Sequence, residues 1–558
     1  MMSDSSPAMR AVPAMVDVVV IGAGFAGLYA HYRLRGIGRS VFGFEAAPQV
    51  GGTWYWNRYP GARCDVESLD YAYSFSPQLL AEWKWSERFA TQPEILDYAN
   101  HVADRFDLRR DYAFETKVTS ATWDEAANQW VVRTNRGHEV RCQFLISAVG
   151  SLSLPKAPEI AGLEDYQGRW VQTGCWPHEP VDVTGKRVGV IGTGSSAIQS
   201  IPLLAQDAAQ VTVFQRTANY SVPAHNGPVD PAYEAQVRAD YVAHCKANRR
   251  TRGGVPSRIN TGLSALEVSD EERRAKFEEA WAFGTFALQS VFRDTTTNPQ
   301  ANATAAEFVR EKIRAKVKDP VLAEKLTPSG YPFGTKRLCL DTGYYEAFNR
   351  DNVDLVDIRE TPIERITKAG IKTSDAEYPF DLIVFATGFD AVTGPLFALN
   401  LTGAGGQTLQ QAWQDGPQSY LGLMVAGFPN LFTVNGPSSP SVLANMLQTI
   451  EHHVEWMTDC IDYMGKHGLT RIDADPAAQT AWAHEVADMA ETTLFTKANS
   501  WYMGANVPGK PRVFLMYIGG LDRYVDRCEA IVQAGYQGFV LTGPAQQATA
   551  ASHSGEMA

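Results

Sequence analysis

Two segments far apart in the chain repeat one pattern, and that pattern leaves few folds open. Val18-Val-Val-Ile21 runs into Gly22-Ala-Gly24-Phe-Ala-Gly27 and then into a helical stretch through Arg35. Arg187 to Ile191 runs into Gly192-Thr-Gly194-Ser-Ser-Ala197, again with a helical pattern after it. An apolar strand, a glycine turn and a helix bring backbone N–H groups and the positive end of a helix to one point, where a pyrophosphate can be held. Candidate contacts are therefore Gly22, Gly24, Phe25, Ala26 and Gly27 in the first unit and Gly192, Thr193, Gly194, Ser195 and Ser196 in the second. The implied fold class is α/β, with two Rossmann-like dinucleotide-binding domains.

The residues beyond each turn separate the two ligands. In the first unit a strand, Val41 to Phe44, ends at Glu45, 18 positions past Gly27, where a carboxylate can accept hydrogen bonds from a ribose diol. In the second, Val211 to Phe214 ends at Gln215-Arg216-Thr217. A carboxylate there would repel a 2′-phosphate, whereas a guanidinium beside a hydroxyl can donate to one. One adenosine-ribose site and one phosphate site imply a flavin reduced by NADPH. The 7 cysteines (Cys64, Cys142, Cys175, Cys245, Cys339, Cys460, Cys528) show no CxxC and no Cys/His ligand spacing, so neither a redox disulfide nor a metal is expected. Electrons from the flavin should then pass to O2 or a soluble organic substrate.

Composition narrows the setting. At 558 residues the chain exceeds the roughly 250–300 residues that one core sustains, and 62 acidic against 50 basic residues argue against a nucleic-acid surface. No uncharged apolar run approaches the roughly 18 residues of a membrane span. A cytoplasmic, monomeric protein is expected, with unstructured ends at 1–15 and 544–558, the second rich in Ala, Ser, Gln and Gly.

Between the two units lies Gly51-Gly-Thr-Trp-Tyr-Trp-Asn-Arg-Tyr-Pro-Gly-Ala-Arg-Cys-Asp65. Trp54, Trp56, Tyr59 and Pro60 offer rigid apolar walls, the glycines permit close backbone approach, and burial would force Arg58, Arg63 and Asp65 into pairs. With this run, the two fingerprints, Lys336-Arg337, Ala386-Thr387-Gly388 and Ser500-Trp501, the chain from about Asp17 to Thr542 resembles the phenylacetone, cyclohexanone and steroid branch of the Baeyer-Villiger monooxygenases.

The resemblance implies a reaction: NADPH and O2 convert a cyclic or aryl/alkyl ketone to a lactone or ester through a C4a-peroxyflavin and a tetrahedral adduct, with sulfoxidation as a side activity. By similarity Arg337 stabilises the developing anions and Asp65 pairs with it; Gly52, Thr53, Trp54 and Asp65 flank FAD. Arg216, Thr217 and Lys336 reach the NADPH 2′-phosphate, with Arg337 and Trp501 also at the coenzyme. Leu152, Ser153, Pro440, Ser441, Val442, Leu443 and Met446 are candidate substrate contacts, mostly apolar, which favours a hydrophobic ketone. The implied division is 16–150 with 386–543 for FAD, 151–229 with 335–385 for NADPH, and a helical insertion at 230–334, where charged stretches such as 270–280 and Ala305 to Lys318 predict solvated helices.

One position departs from the family. Its linker fingerprint is met here by Tyr166, Gly168, Trp176 and Pro177, but Gln172 stands at the family's histidine. An amide can donate and accept like a neutral imidazole, yet it never carries charge. Two other classes stay open: an N-hydroxylating or flavin-containing heteroatom monooxygenase, against which the Gly52 to Asp65 run and Arg337 argue, and a non-catalytic flavin and NADPH-binding redox protein.

Overall fold

Strand Met15–Ile21 lies at the centre of the first sheet, and its run of valines has a topological cause. It is flanked on both edges by parallel neighbours, Val41–Phe44 and Glu139–Ser147, so Val18, Val19 and Val20 are fully buried on either face. The computed structural model describes residues 11–256 and 259–543. Residues 1–10 and the tail 544–558, both expected to be unstructured, lie outside the described residues; Met15, assigned to that start, already belongs to the strand. The first sheet is mixed: Gln129–Thr134 pairs antiparallel with Val118–Asp124 and Glu139–Ser147, and Leu401–Thr402 and Leu431–Thr433 join it from the far end of the chain.

The second sheet is wholly parallel and comes from the middle of the chain. Its spatial order is Val353–Asp357, Gln210–Gln215, Arg187–Ile191, Leu382–Phe385, Arg169–Gln172. The chain passes between the sheets twice, and the two crossovers run antiparallel beside each other. Val392 N–H donates to Ser151 O, Asp390 N–H to Leu154 O and Lys156 N–H to Gly388 O, at 2.8, 2.9 and 3.0 Å.

The segment between the second sheet's strands is helical, as its charge pattern predicts. Helices Pro231–Ala239, Tyr241–Arg249, Asp270–Phe283, Pro299–Lys316 and Pro320–Leu326 are each opened by a side chain, Asp230, Asp240, Ser269, Asn298 and Asp319, that accepts from first-turn N–H groups. The stretch expected to be helical from Ala305 to Lys318 stops at Lys316, because Asp319-Pro320 starts a new helix there. Only Phe277 and Ala280 of Asp270–Phe283 are buried, so its charges do form a solvated face.

The insertion is not merely a surface appendage. Arg249 at the end of one of its helices reaches helix Met446–Lys466, donating to Glu455 at 2.5 Å and to the fully buried Glu451 at 3.3 Å. Ser74 donates to Glu451 through both its N–H and its hydroxyl, and Tyr29 donates to Glu455. Burial nevertheless raises the Glu451 pKa from 4.5 to about 7, against the lowering by Arg249. A raised folded-state pKa means that protonation favours the fold; this contribution is complete below the unfolded value and is lost as pH rises through about 7. Glu451→Gln should therefore gain melting temperature relative to the parent as pH rises from about 5 to 8; a difference that stays constant across that range would show that Glu451 does not titrate there.

Candidate active site

Both glycine turns are built alike. Gly22 (φ +108°) donates to Phe44 O at 2.8 Å and Gly192 (φ +114°) to Phe214 O at 3.1 Å, closing each turn against the next strand. A side chain at either would strike backbone: a Cβ on Gly22 would lie 2.6 Å from Ala148 O, and one on Gly192 2.4 Å from Ala386 O. Helices Phe25–Gly36 and Ser195–Asp207 start at Gly24 and Gly194 with no side chain capping them, so their first-turn N–H groups can serve an anion. Phe25, Ala26 and Gly27 form the first turn of one, Ser195 and Ser196 that of the other. Thr193 Oγ1 donates to Thr217 O at 2.7 Å, tying the second turn to the segment after its strand.

Glu45 is 6% exposed and accepts from the N–H groups of Ala23 and Ala47 at 2.6 and 2.7 Å. Burial raises its pKa, while these N–H donors oppose the rise. Its two oxygens retain lone pairs for a ribose diol, so the first cradle fits a flavin adenine dinucleotide.

The Gly51 to Asp65 run lies directly on this cradle and reaches from it to the second domain. Gly51 N–H donates to Ala23 O at 3.0 Å, and a Cβ on Gly52 (φ +53°) would come 2.9 Å from Gly24 Cα. Trp54 is buried and its indole donates to Tyr71; Thr53 beside it is exposed. Tyr59 donates to Gln199 Oε1 of helix Ser195–Asp207 at 2.7 Å. The expected pairing of the polar members is seen: Arg63 with Glu87 at 2.9 Å, Arg58 over the Tyr55 ring, and Asp65 with Arg337.

Arg337 is where the parts meet. Its Nη2 and Nε donate to Asp65 Oδ2 at 2.6 and 3.0 Å, and its Nη1 to Val442 O at 2.8 Å. The ring centre of Phe286, from the insertion, lies 4.9 Å from the guanidinium carbon. Burial opposes the charge, but Asp65 outweighs it, so Arg337 stays a cation with a pKa above its usual range. Its neighbour Lys336 points elsewhere: its Nζ sits 4.3 Å from the Tyr331 ring centre, and burial, with the nearby Arg216 charge second, lowers its pKa. Two cations converging without a carboxylate partner among the described residues are suited to a 2′-phosphate.

The candidate substrate residues Leu152, Val442, Leu443 and Met446 pack in one small apolar cluster with Trp501 and Tyr502. Ser441 (φ +43°) is buried, its hydroxyl 3.3 Å from that of Ser151, while Ser153 is exposed. The linker residues sit apart from Arg337. Tyr166 donates to Phe380 O and covers Gly168, where a Cβ would strike its hydroxyl at 2.3 Å; Trp176 is buried in the second core, with Pro177 after it half-buried. Gln172, 7% exposed, donates to the Lys156 carbonyl of the first crossover at 2.5 Å, and its own oxygen accepts from Cys175 Sγ at 3.7 Å.

Some groups at the site escape a reading by sequence. Phe286 carries no motif, Val442 acts through its carbonyl, and the Thr387 hydroxyl is buried at the second crossover without a protein partner. Tyr502 is signalled only by its place next to Trp501. All seven cysteines are unpaired, and among the described residues no group of three or more His, Cys, Asp and Glu could hold a metal ion. No helix there is long and apolar enough to cross a membrane.

Two glycine cradles, one on a mixed sheet and one on a parallel sheet, with no cysteine pair between them, define a flavoprotein oxidoreductase that uses a second nucleotide. A family model described as pyridine nucleotide-disulphide oxidoreductase matches residues 19–249. The chain is 42% identical to 2-oxo-Delta(3)-4,5,5-trimethylcyclopentenylacetyl-CoA monooxygenase of Pseudomonas putida, with 95% of this chain and 99% of the relative covered. It is likewise 42% identical to a Baeyer-Villiger monooxygenase of Pseudooceanicola batsensis, over 95% of this chain and 97% of the relative. A solved structure, oxidized steroid monooxygenase bound to NADP, superposes with a TM-score of 0.91 at 53% identity and covers 95% of this chain and 99% of that one. The chain belongs to the Baeyer-Villiger monooxygenases, and its cofactors are FAD and NADPH.

Two substitutions test this geometry. Arg216→Ala should raise the KM for NADPH by about 10- to 100-fold, the worth of a charged hydrogen bond, and leave that for NADH nearly unchanged; steady-state kinetics with both coenzymes checks it, and equal losses would remove the phosphate contact. Gln172→His restores a donor that titrates near pH 6–7, so the ester formed per NADPH should acquire a pH dependence in that range which the parent lacks.

Proposed function

We propose that this chain converts apolar ketones, cyclic or aryl/alkyl, to lactones or esters with NADPH and O2, and oxidises sulfides as a side activity. One ketone, one O2, one NADPH and one proton give one ester, one water and one NADP+. When bound, FAD supplies the redox chemistry, taking a hydride equivalent from NADPH and activating O2. The observation that carries the reading is the Arg337–Asp65 pair, 2.6 Å apart, set between the two cradles and beside an apolar cluster.

Arg337 donates to the oxygen that gains negative charge as the ketone is attacked, an electrostatic role that needs a cation fixed in place beforehand. Asp65 and the Val442 carbonyl fix it. Arg216, Lys336 and Thr217 hold the 2′-phosphate, and Trp501 contacts the nicotinamide end. The Gly22 to Gly27 turn, Glu45 and the Gly52 to Trp54 segment hold FAD. Leu152, Ser441, Val442, Leu443 and Met446 surround the ketone, and with so few polar groups among them the pocket selects by shape and apolar area. A heteroatom-oxidising or non-catalytic protein would need the two cradles but not a guanidinium clamped from three elements.

The test uses the yellow protein with NADPH, 18O-labelled O2, and cyclohexanone, phenylacetone, a large-ring ketone and a thioether. Mass analysis should find one labelled oxygen in a lactone or ester. Arg337→Ala should keep FAD bound and reducible while ester formation falls by at least about 10²- to 10³-fold. Substantial ester from that variant would remove the role given to Arg337.

A further inference from the structure

The two acceptors that hold Arg337, Asp65 Oδ2 and Val442 O, come from segments that meet a second time on their far sides. Asp70 lies five positions after Asp65, and Asn445 three positions after Val442. Asn445 Nδ2 donates to the Asp70 carbonyl at 2.7 Å. The chain from Asp65 to Asp70, that bond, the chain back from Asn445 to Val442 and the guanidinium together close a ring. Both arms of the ring are braced internally. Asp70 N–H donates to Glu67 O at 2.9 Å on one, and Leu443 N–H to Pro440 O and Ala444 N–H to Ser441 O, at 3.0 and 3.1 Å, on the other. The bond from Asn445 to Asp70 therefore sets the gap across which the guanidinium is held.

Asn445 is 1% exposed, and both its amide N–H groups and its oxygen are bonded. Nδ2 also donates to Gly254 O at 3.3 Å, while Oδ1 accepts from Leu447 N–H at 3.1 Å and so caps helix Met446–Lys466. Two donors and an acceptor on so short a stem are offered only by asparagine. Its backbone N–H donates to Gly253 O at 2.8 Å. Gly253 and Gly254 follow helix Tyr241–Arg249 of the insertion, and that helix also grips the other end of the bond. His244 Nε2 lies 2.7 Å from Oδ1 of the buried Asp70 carboxylate, and Asn248 Nδ2 donates to the same oxygen at 2.8 Å.

We propose that Asn445 is a positioning residue for the reaction: it sets the separation of the two oxygens that aim Arg337, and the insertion, through His244, Asn248 and the Gly253 carbonyl, keeps that separation fixed. This deepens the ketone-oxygenation reading and rests on it. A guanidinium between two acceptors whose spacing drifts stays charged and paired, but it no longer presents its remaining N–H groups at one point. Stabilisation of a developing oxyanion depends on donors fixed in place beforehand, so such drift lowers the yield of the chemical step without emptying the site.

The experiment uses the holoenzyme and Asn445→Ser. Serine keeps an oxygen that can cap the helix and is too short to reach Asp70 O, so the bond across the ring is lost while the cap stays. Arg337 is read first without turnover. Phenylglyoxal condenses with accessible guanidinium groups, and peptide mass analysis should show Arg337 modified about three- to tenfold faster than in the parent, the net worth of one neutral hydrogen bond, with Arg216 unchanged. With the ketone that the parent oxidises best, ester formed per NADPH should fall by a similar factor. The balance appears as hydrogen peroxide, one O2, one NADPH and one proton giving one H2O2 and one NADP+. The KM for the ketone should stay within about twofold, because the loss falls on the chemical step and not on binding. A protein that is merely less stable would hold less active enzyme and leave the ratio of ester to NADPH alone. An unchanged rate of Arg337 modification overturns the proposal, and so does an unchanged ratio in an enzyme whose parent makes ester. A parent that makes no ester from any ketone defeats the ketone reading, and the modification rate then decides by itself whether Asn445 fixes Arg337. If Asn445→Ser loses FAD, His244→Phe takes its place: it keeps a ring between Tyr233 and Tyr241 and deletes the donor to Asp70. The same two shifts should appear at smaller size, and their absence sinks the idea.

Discussion

The ion pair between Arg337 and Asp65 joins side chains 272 residues apart, and the site exists only where it forms. A charge removed from water is costly unless it is paired and its hydrogen bonds are filled. Asp65 arrives on a loop laid against the first cradle, and Arg337 arrives from the segment that leads back into the second sheet. Neither segment could leave its charge at this junction unpaired, so the docking of the two domains and the assembly of the site are one event. Phe286 from the insertion, against the guanidinium, adds a third region to the same condition.

The close approach of Gly24 and Gly52 explains why that loop can be where it is. With a Cβ at Gly52 only 2.9 Å from Gly24 Cα, the loop would have to lift from the cradle, and Asp65 would move with it. On the far side, Tyr59 and Gly61 lie against Gln199 in the second domain's first helix. The loop therefore measures the distance between the two nucleotide cradles as well as supplying the carboxylate.

The two crossovers are the mechanical counterpart of this contact. They hydrogen-bond to each other, and both hold the C-terminal segment: Lys156 donates to Asn506 O, Asn506 to Phe389 O, and Lys510 pairs with Asp390 at 2.5 Å. Gln172 braces the first crossover with an uncharged amide, a geometric use that suits a position where a neutral imidazole would otherwise donate. These bonds tie both crossovers, the 506–510 segment and the Gln172 strand together.

Local rules made much of this legible. The strand, glycine turn and helix of each cradle are dictated by backbone sterics over a few residues, so both appear at the positions expected, with Val41–Phe44, Arg187–Ile191 and Leu382–Phe385 matching residue for residue. Glu45 and Arg216 give the two cradles side chains of opposite sign because the sign of a side chain at a fixed offset is itself a local property. The start of the first strand at Met15 and the break at Asp319-Pro320 fell within a few residues of the expected bounds, where end effects compete with periodicity. Short-range patterning was thus enough to locate the pair of cradles and to nominate the residues that could select their ligands. It took the packing of distant segments to make Val442 offer its carbonyl and Phe286 cover the guanidinium, and no local propensity or spacing encodes which segments will meet.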